Sequence, residues 1–215
     1  TEHCVIVDGE YIHDLVAIAD CPTDIERIDL AGASLTAGFI DLQLNGCGGV
    51  LFNTDISINT LEIMQKTNER FGCTSYLPTL ITATDAEMKS AIDTMTAYLE
   101  KHSNQALGLH LEGPYLSTAK KGIHSINLIR RSEQTMIDHI CTNSAVISKV
   151  TLAPENTDAT HIAQLTAADI LVSVGHTNAT YTECMQGFEA GARFATHLFN
   201  AMSSITGREP GGVGG

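Results

Sequence analysis

The feature that most constrains this chain is a short apolar segment that ends in a metal-binding side chain and occurs three times. Leu109–Glu112 ends in a glutamate, Val172–His176 ends in a histidine, and Phe194–His197 ends in another. In a parallel α/β barrel, chemistry takes place at the C-terminal ends of the strands. A carboxylate and two imidazoles suit a divalent metal. The sequence therefore predicts a metal-dependent hydrolase site whose ligands are Glu112, His176 and His197.

Strand-like and helix-like segments alternate from Gly38 onward, which is typical of a parallel sheet with helices outside it. The strand-like segments are Phe39–Gln43, Ser75–Pro78, Leu107–Glu112, Ile147–Ala153, Ile170–Val174 and Arg193–His197. A closed (β/α)8 barrel has eight such units in about 250 residues. We therefore expect a TIM barrel that is incomplete here, with about six βα units. The rival topology is an open doubly wound sheet, but no G-x-G-x-x-G motif supports it.

The first part of the chain has a different pattern. Short apolar pieces are separated by turn residues such as Asp8-Gly9 and Cys21-Pro22, which indicates a small antiparallel unit. We expect residues 1–36 to form part of a small β-sandwich-like domain. Residues 37–215 are expected to form the barrel, which ends before its last strands.

Composition excludes several classes of protein. The formal net charge of −13 argues against a nucleic-acid partner, because a basic face is the usual footprint of such binding. No segment approaches the roughly 18 apolar residues of a membrane span, and no signal peptide is evident. The six cysteines are scattered without a C-x-x-C pair, which favours reduced thiols in a cytosolic protein.

Other polar residues are expected near the mouth of the barrel. Asp41, Gln43 and Asn45 share one face of the first strand, because alternate residues of a strand point the same way. Asp41 either orients a ligand or serves as a hydrogen-bonded strand acid, and we favour the structural interpretation. His124 lies in a long loop after the third strand, where it either touches substrate or belongs to a solvated surface.

The segment after His197 carries a weaker signal. Asn200 and Ala201 follow directly, and Arg208 lies in the stretch Gly207–Gly211. Backbone N–H groups and an arginine suit an anionic group such as phosphate, but an ordinary Gly/Pro loop has the same composition. No G-x-S-x-G or H-E-x-x-H motif is present, so a metal-activated water is the simplest nucleophile.

Five motifs in this order resemble the N-acetylglucosamine-6-phosphate deacetylase family of the amidohydrolase superfamily. They are Gly38–Gly49, His110–Pro114, Gly175–Thr180, Thr196–Met202 and Gly207–Gly211. The resemblance implies that Glu112, His176 and His197 hold one divalent metal, usually zinc. Gln43 and Asn45 replace the H-x-H pair of two-metal relatives, so one metal per subunit is implied.

The same resemblance implies a substrate site, a partner and a compartment. Ile123 and His124 would contact the sugar, with His124 near the acetamide. Asn200, Ala201 and Arg208 would bind the sugar phosphate, and Arg208 is a candidate to reach the site of a second subunit. The family is typically a cytoplasmic homodimer that acts in amino-sugar catabolism, with neither nucleic acid nor membrane as a partner.

The implied reaction converts N-acetylglucosamine 6-phosphate to glucosamine 6-phosphate and acetate. The metal polarises the acetamide and activates water, and a carboxylate carries the proton to the leaving amine. In the family that carboxylate is an aspartate of the last barrel strand, expected beyond Gly215. Residues 1–215 alone are therefore predicted to be inactive. The alternatives are an amidohydrolase acting on a cyclic amide and a non-catalytic barrel remnant.

Overall fold

The computed structural model describes residues 3–102 and 105–215, which form two compact units. The first unit extends to Ala37 and contains a two-stranded antiparallel sheet. Its strands are β1, His3–Asp8, and β2, Tyr11–Ala17, joined at Gly9 with a φ of 57°. The predicted antiparallel pieces are present here, whereas the described residues 21–37 contain no strand.

The second unit, Gly38–Gly215, is built on six parallel strands in sequential order. They are β3 (Phe39–Leu44), β4 (Cys73–Ile81), β5 (Leu109–Glu112), β6 (Ile147–Leu152), β7 (Leu171–Val174) and β8 (Phe194–Ala195). Each strand pairs only with its chain neighbours in this sheet. The predicted incomplete barrel of about six βα units is thereby confirmed.

Helices alternate with these strands. They are α1 (Ile58–Glu69), α2 (Asp85–Leu99), α3 (Gln134–Thr142), α4 (Ala159–Ala167) and α5 (Tyr181–Glu189). Their apolar faces pack on the sheet, and α2 buries Met88, Ile92 and Met95, an apolar stripe at spacings of four and three. No helix among the described residues has the length and hydropathy needed to cross a bilayer.

From N-cap preferences the sequence predicts that Asp85 caps α2 and that Ser132 caps α3, and both predictions are wrong. Thr84, not Asp85, caps α2, because its hydroxyl accepts from the Glu87 amide while the Glu87 carboxylate accepts from the Thr84 amide. Helix α3 begins at Gln134 rather than at a cap formed by Ser132. The Ser132 hydroxyl instead lies 2.7 Å from His161 Nδ1 on α4, so a tertiary contact has taken the expected capping group.

Candidate metal centre

The three predicted ligands converge at the C-terminal edge of the sheet. Glu112 is the last residue of β5, and His176 and His197 follow β7 and β8 by two residues each. One ligand atom from each side chain lies within 4.8 Å of the others. Glu112 Oε1 lies 3.0 Å from His197 Nε2 and 3.3 Å from His176 Nε2. Glu112 and His176 are buried, whereas the His197 side chain is 38% exposed and open to an incoming ligand.

Both histidines are held in an unusual backbone conformation. His176 has a φ of 47° and His197 a φ of 56°, in the left-handed region that residues with a Cβ rarely adopt. Such strain costs about 1–3 kcal/mol per residue and persists only where the surroundings enforce it. Backbone hydrogen bonds enforce it at His176, because its carbonyl accepts from Ser117 N at 2.8 Å. Strain of this kind at two of three clustered donors indicates a functional site.

The hydrogen bonds of His176 leave a ligand atom free. His176 Nδ1 lies 2.8 Å from the Lys120 carbonyl, which can only accept, so Nδ1 carries the proton. In the neutral ring Nε2 then presents a lone pair towards Glu112 Oε1, 3.3 Å away, and it is buried without a hydrogen-bond partner among the described residues. An imidazole with Nδ1–H on a carbonyl and a bare Nε2 is the arrangement of metal-ligating histidines. The site therefore fits a divalent ion.

The charge state of Glu112 also suits a ligand. Burial raises the pKa of this carboxyl, but the contact with His176, together with the other histidines around the carboxylate, outweighs burial and lowers the pKa to about 2. Burial lowers the pKa of His176, whereas the Glu112 carboxylate and the Lys120 carbonyl raise it by more. Without a metal the carboxylate therefore favours a proton on the His176 ring, and a divalent cation between the two groups would displace that proton, as expected when metal binding is coupled to proton release.

Gln43 and His124 surround the carboxylate. Gln43 Nε2 donates to Glu112 Oε2 at 3.0 Å, so the residue at the first H-x-H position orients the ligand. His124 is buried, with Nε2 3.9 Å from Glu112 Oε2 and Nδ1 2.8 Å from the Thr82 hydroxyl. Burial and the adjacent His176 lower the pKa of His124 to about 4, so its ring is neutral at pH 7. The loop histidine thus faces the site rather than the solvent.

The remaining predicted substrate residues are less tightly assembled. Ile123 is 86% exposed beside His124. Asn200 N donates to the His197 carbonyl at 2.6 Å, and the Ala201 carbonyl accepts from Thr177 N at 3.0 Å, which places this turn next to both histidine loops. Arg208 is exposed and makes no hydrogen bond or ion pair within residues 3–102 and 105–215. The structure brings Asn200 and Ala201 to the site and leaves the role of Arg208 a prediction.

A row of buried, hydrogen-bonded side chains extends from the strand that carries Glu112, and the sequence analysis did not predict it. His110 is fully buried between Thr79, 3.1 Å from Nδ1, and Thr151, 2.7 Å from Nε2. The Thr151 hydroxyl continues to Thr196 at 2.8 Å, which lies 2.7 Å from Ser173 Oγ. The signal was present, because His110 shares the face of Glu112 two residues before it. Asp41 accepts from the Gln43 amide at 2.9 Å, which agrees with the structural interpretation.

The buried His110 predicts a pH dependence of stability. Burial and the nearby Lys149 lower its pKa to about 3, against about 6.5 in an unfolded chain. Between these values the unfolded state binds more protons, so protonation favours unfolding as the pH falls below 6.5. His110→Gln should therefore flatten the decline of the unfolding free energy between pH 7 and pH 5, by up to about 1 kcal/mol per pH unit.

Urea titrations of the metal-free protein at several pH values check this. Comparison of slopes isolates His110 from the general effect of the acidic surface, which is common to both proteins. Equal slopes for the wild type and the variant would contradict the assignment of His110 as a buried neutral histidine.

The glycine before His176 predicts a second effect. A Cβ on Gly175 would lie 2.9 Å from Thr151 Cγ2 and 2.9 Å from Thr196 Cβ, closer than real contacts allow. Gly175→Ala should therefore push β7 from its neighbours, lower the unfolding free energy by about 1–3 kcal/mol and weaken metal binding. Chemical denaturation and metal titration measure both effects. Gly207→Ala is the matched control, since nothing lies within 4 Å of its added Cβ, and equal behaviour of the two variants would contradict the packing argument.

The fold and the site define the class of protein. Residues 34–212 match the sequence profile of the amidohydrolase family, and the chain belongs to that family. Residues 1–35 match the NagA composite domain. Metal dependence is a property of this family, in agreement with the three clustered donors.

The more specific likeness is to sugar-phosphate deacetylases. The chain is 55% identical to the N-acetylglucosamine-6-phosphate deacetylase of Haemophilus influenzae over 99% of the chain and 56% of that protein. It is 38% identical to the N-acetylgalactosamine-6-phosphate deacetylase of Shewanella sp., over 100% of the chain and 55% of that protein. The crystal structure of the Pasteurella multocida N-acetylglucosamine-6-phosphate deacetylase superposes with a TM-score of 0.97 at 53% identity, covering 100% of this chain and 57% of that one. The chain thus spans about half the length of these relatives.

Proposed function

We propose that this chain supplies the metal-binding part of an N-acetylglucosamine-6-phosphate deacetylase, which hydrolyses the acetamide to an amine and acetate. The observation that carries the proposal is the convergence of Glu112, His176 and His197 within 4.8 Å at the sheet edge. The high identity to a deacetylase over 99% of the chain supports the choice of substrate. The ligand set remains a prediction, and zinc is the metal we propose for it, with one ion per subunit.

The side chains divide the chemistry among them. Glu112, His176 and His197 would hold the ion, which when bound supplies Lewis acidity to the acetamide carbonyl and activates a water. Gln43 holds the Glu112 carboxylate in position through its amide. His124, neutral and anchored on Thr82, would donate a hydrogen bond to the acetamide oxygen as negative charge develops there. We assign the proton transfer to the aspartate that the family resemblance places beyond Gly215.

The other substrate contacts are proposed on weaker grounds. Ile123 would contact the sugar beside His124. Asn200 and Ala201 lie on the turn next to both histidine loops, where their backbone could bind the phosphate with Arg208. The exposure of Arg208 is compatible with binding in a homodimer, which we propose together with a cytoplasmic location from the family resemblance.

Assay of the intact protein tests the proposed function. Acetate release from N-acetylglucosamine 6-phosphate should be rapid, should stop on removal of the metal with a chelator and should return with added Zn²⁺. N-acetylgalactosamine 6-phosphate is the necessary comparison, because a relative that acts on it is 38% identical. Hydrolysis of a dihydropyrimidine but not of either sugar phosphate would instead favour the cyclic-amide alternative. Stoichiometric metal without activity on any substrate would favour the non-catalytic alternative.

A further inference from the structure

The turn that follows His176 is held by a carboxylate from the short turn after β6. Glu155 lies in a short 3-10 turn, Pro154–Asn156, directly after β6. Its Oε2 accepts from the Thr177 hydroxyl at 2.6 Å, and its Oε1 accepts from the Asn178 amide at 2.6 Å. These two donors immediately follow His176 in the chain. Glu155 therefore binds the two residues that directly follow the strained His176.

The short turn that carries Glu155 is itself held by hydrogen bonds. The turn is closed by hydrogen bonds from Asn156 N to the Ala153 carbonyl at 3.0 Å and from Thr157 N to the Pro154 carbonyl at 3.3 Å. The Glu155 carbonyl accepts from Arg131 Nη1 at 3.3 Å. Glu155 is half-buried, so its carboxylate is partly shielded from competing water. Its two acceptor oxygens are thus held in a defined place relative to β6.

Three anchors together fix the backbone around His176. The His176 carbonyl accepts from Ser117 N, and Thr177 N donates to the Ala201 carbonyl at 3.0 Å. The Glu155 carboxylate is the only one of the three anchors supplied by a side chain, so it alone can be removed by substitution. Because His176 has a φ of 47°, its backbone depends on these anchors rather than on an intrinsic preference, and they place the ring that the Lys120 carbonyl then orients through Nδ1.

We propose that Glu155 is a positioning residue of the metal centre, which acts through Thr177 and Asn178 to aim His176 Nε2 at the ion. The proposal rests on the proposed function, since it requires the metal centre. It predicts that loss of the carboxylate leaves the fold intact but loosens one of three ligands. Loss of a group hydrogen-bonded directly to a metal ligand typically weakens metal binding 10–100-fold, and Glu155 lies one residue further from the ion, so we expect a loss of about 10-fold.

The experiment measures Zn²⁺ affinity of the intact protein by competition with a chromogenic chelator. Glu155→Ala should raise the dissociation constant about 10-fold. Glu155→Gln should raise it less, since one acceptor oxygen remains, and Thr177→Val should give an intermediate loss because it removes one of the two donors. The matched control is Asp138→Asn, because Asp138 also accepts two hydrogen bonds, from Gln134 and Gln164 at 2.7 Å each, on the exposed face of α3.

Two further readouts separate positioning from simple loss of stability. The unfolding free energy of the metal-free protein should not follow the order of the Zn²⁺ affinities. Co²⁺ substituted into the site should show an altered ligand-field spectrum in Glu155→Ala but not in Asp138→Asn. Zn²⁺ affinity and Co²⁺ spectrum equal to those of the wild type in Glu155→Ala and Thr177→Val would overturn the proposal and leave the proposed function standing. A wild-type protein that binds neither Zn²⁺ nor Co²⁺ would overturn both.

Discussion

Replacement of Glu112 with glutamine is expected to abolish metal binding and to lower deacetylase activity by about three orders of magnitude or more. Glu112 is the only carboxylate of the ligand set, and both histidine Nε2 atoms lie within 3.3 Å of its Oε1. A neutral amide keeps the size of the side chain but removes the negative charge that holds a divalent cation. The variant should therefore fold and yet contain no stoichiometric metal.

Metal analysis, activity and circular dichroism of purified Glu112→Gln check this expectation. Asp93→Asn is a suitable control, because it makes the same carboxylate-to-amide change on the exposed face of α2. If Glu112→Gln kept a full equivalent of metal and wild-type turnover, Glu112 would not be a ligand.

Replacement of His124 should lower the activity without removing the metal. His124→Gln is expected to lower kcat/KM about 100-fold while the metal content stays near one equivalent. The reason is its position, since His124 Nε2 lies 3.9 Å from Glu112 Oε2, beside the proposed ion but outside the three clustered donors. A hydrogen-bond donor in that place would stabilise the transition state and would not hold the metal ion.

The measurement pairs steady-state kinetics with metal analysis. His102→Gln provides the control, because His102 is a histidine at the end of α2 that pairs with Glu62 and stacks on Tyr98, on the outside of the sheet. Loss of metal in His124→Gln in step with activity would show that His124 supports the metal centre instead of the substrate.

The sequence predicted that Glu112, His176 and His197 lie together because they occupy equivalent places in a repeated pattern. Glu112, His176 and His197 each end an apolar segment, and parallel strands bring such ends to one edge. The alternation of segments likewise predicted the order of β3–β8, since sequential βα units place neighbouring strands side by side. These features depend on local periodicity, which a single sequence displays.

The supporting residues could not be predicted in the same way. Glu155, Thr82 and the Lys120 carbonyl make hydrogen bonds around the site that depend on how the loops fold back. The sequence shows a glutamate, Glu155, shortly after β6, but no local pattern indicates that it binds the turn after His176. The starts of α2 and α3 were predicted wrongly for a related reason, because competing hydrogen bonds decided between neighbouring capping residues.

The most direct test is the anomalous diffraction signal at the zinc absorption edge from crystals of the intact, Zn²⁺-loaded protein. A single strong peak should lie about 2.0–2.2 Å from a Glu112 carboxylate oxygen and from Nε2 of His176 and His197. A peak coordinated by other side chains, or no peak at these three residues, would contradict the assignment of this edge of the sheet as the metal centre.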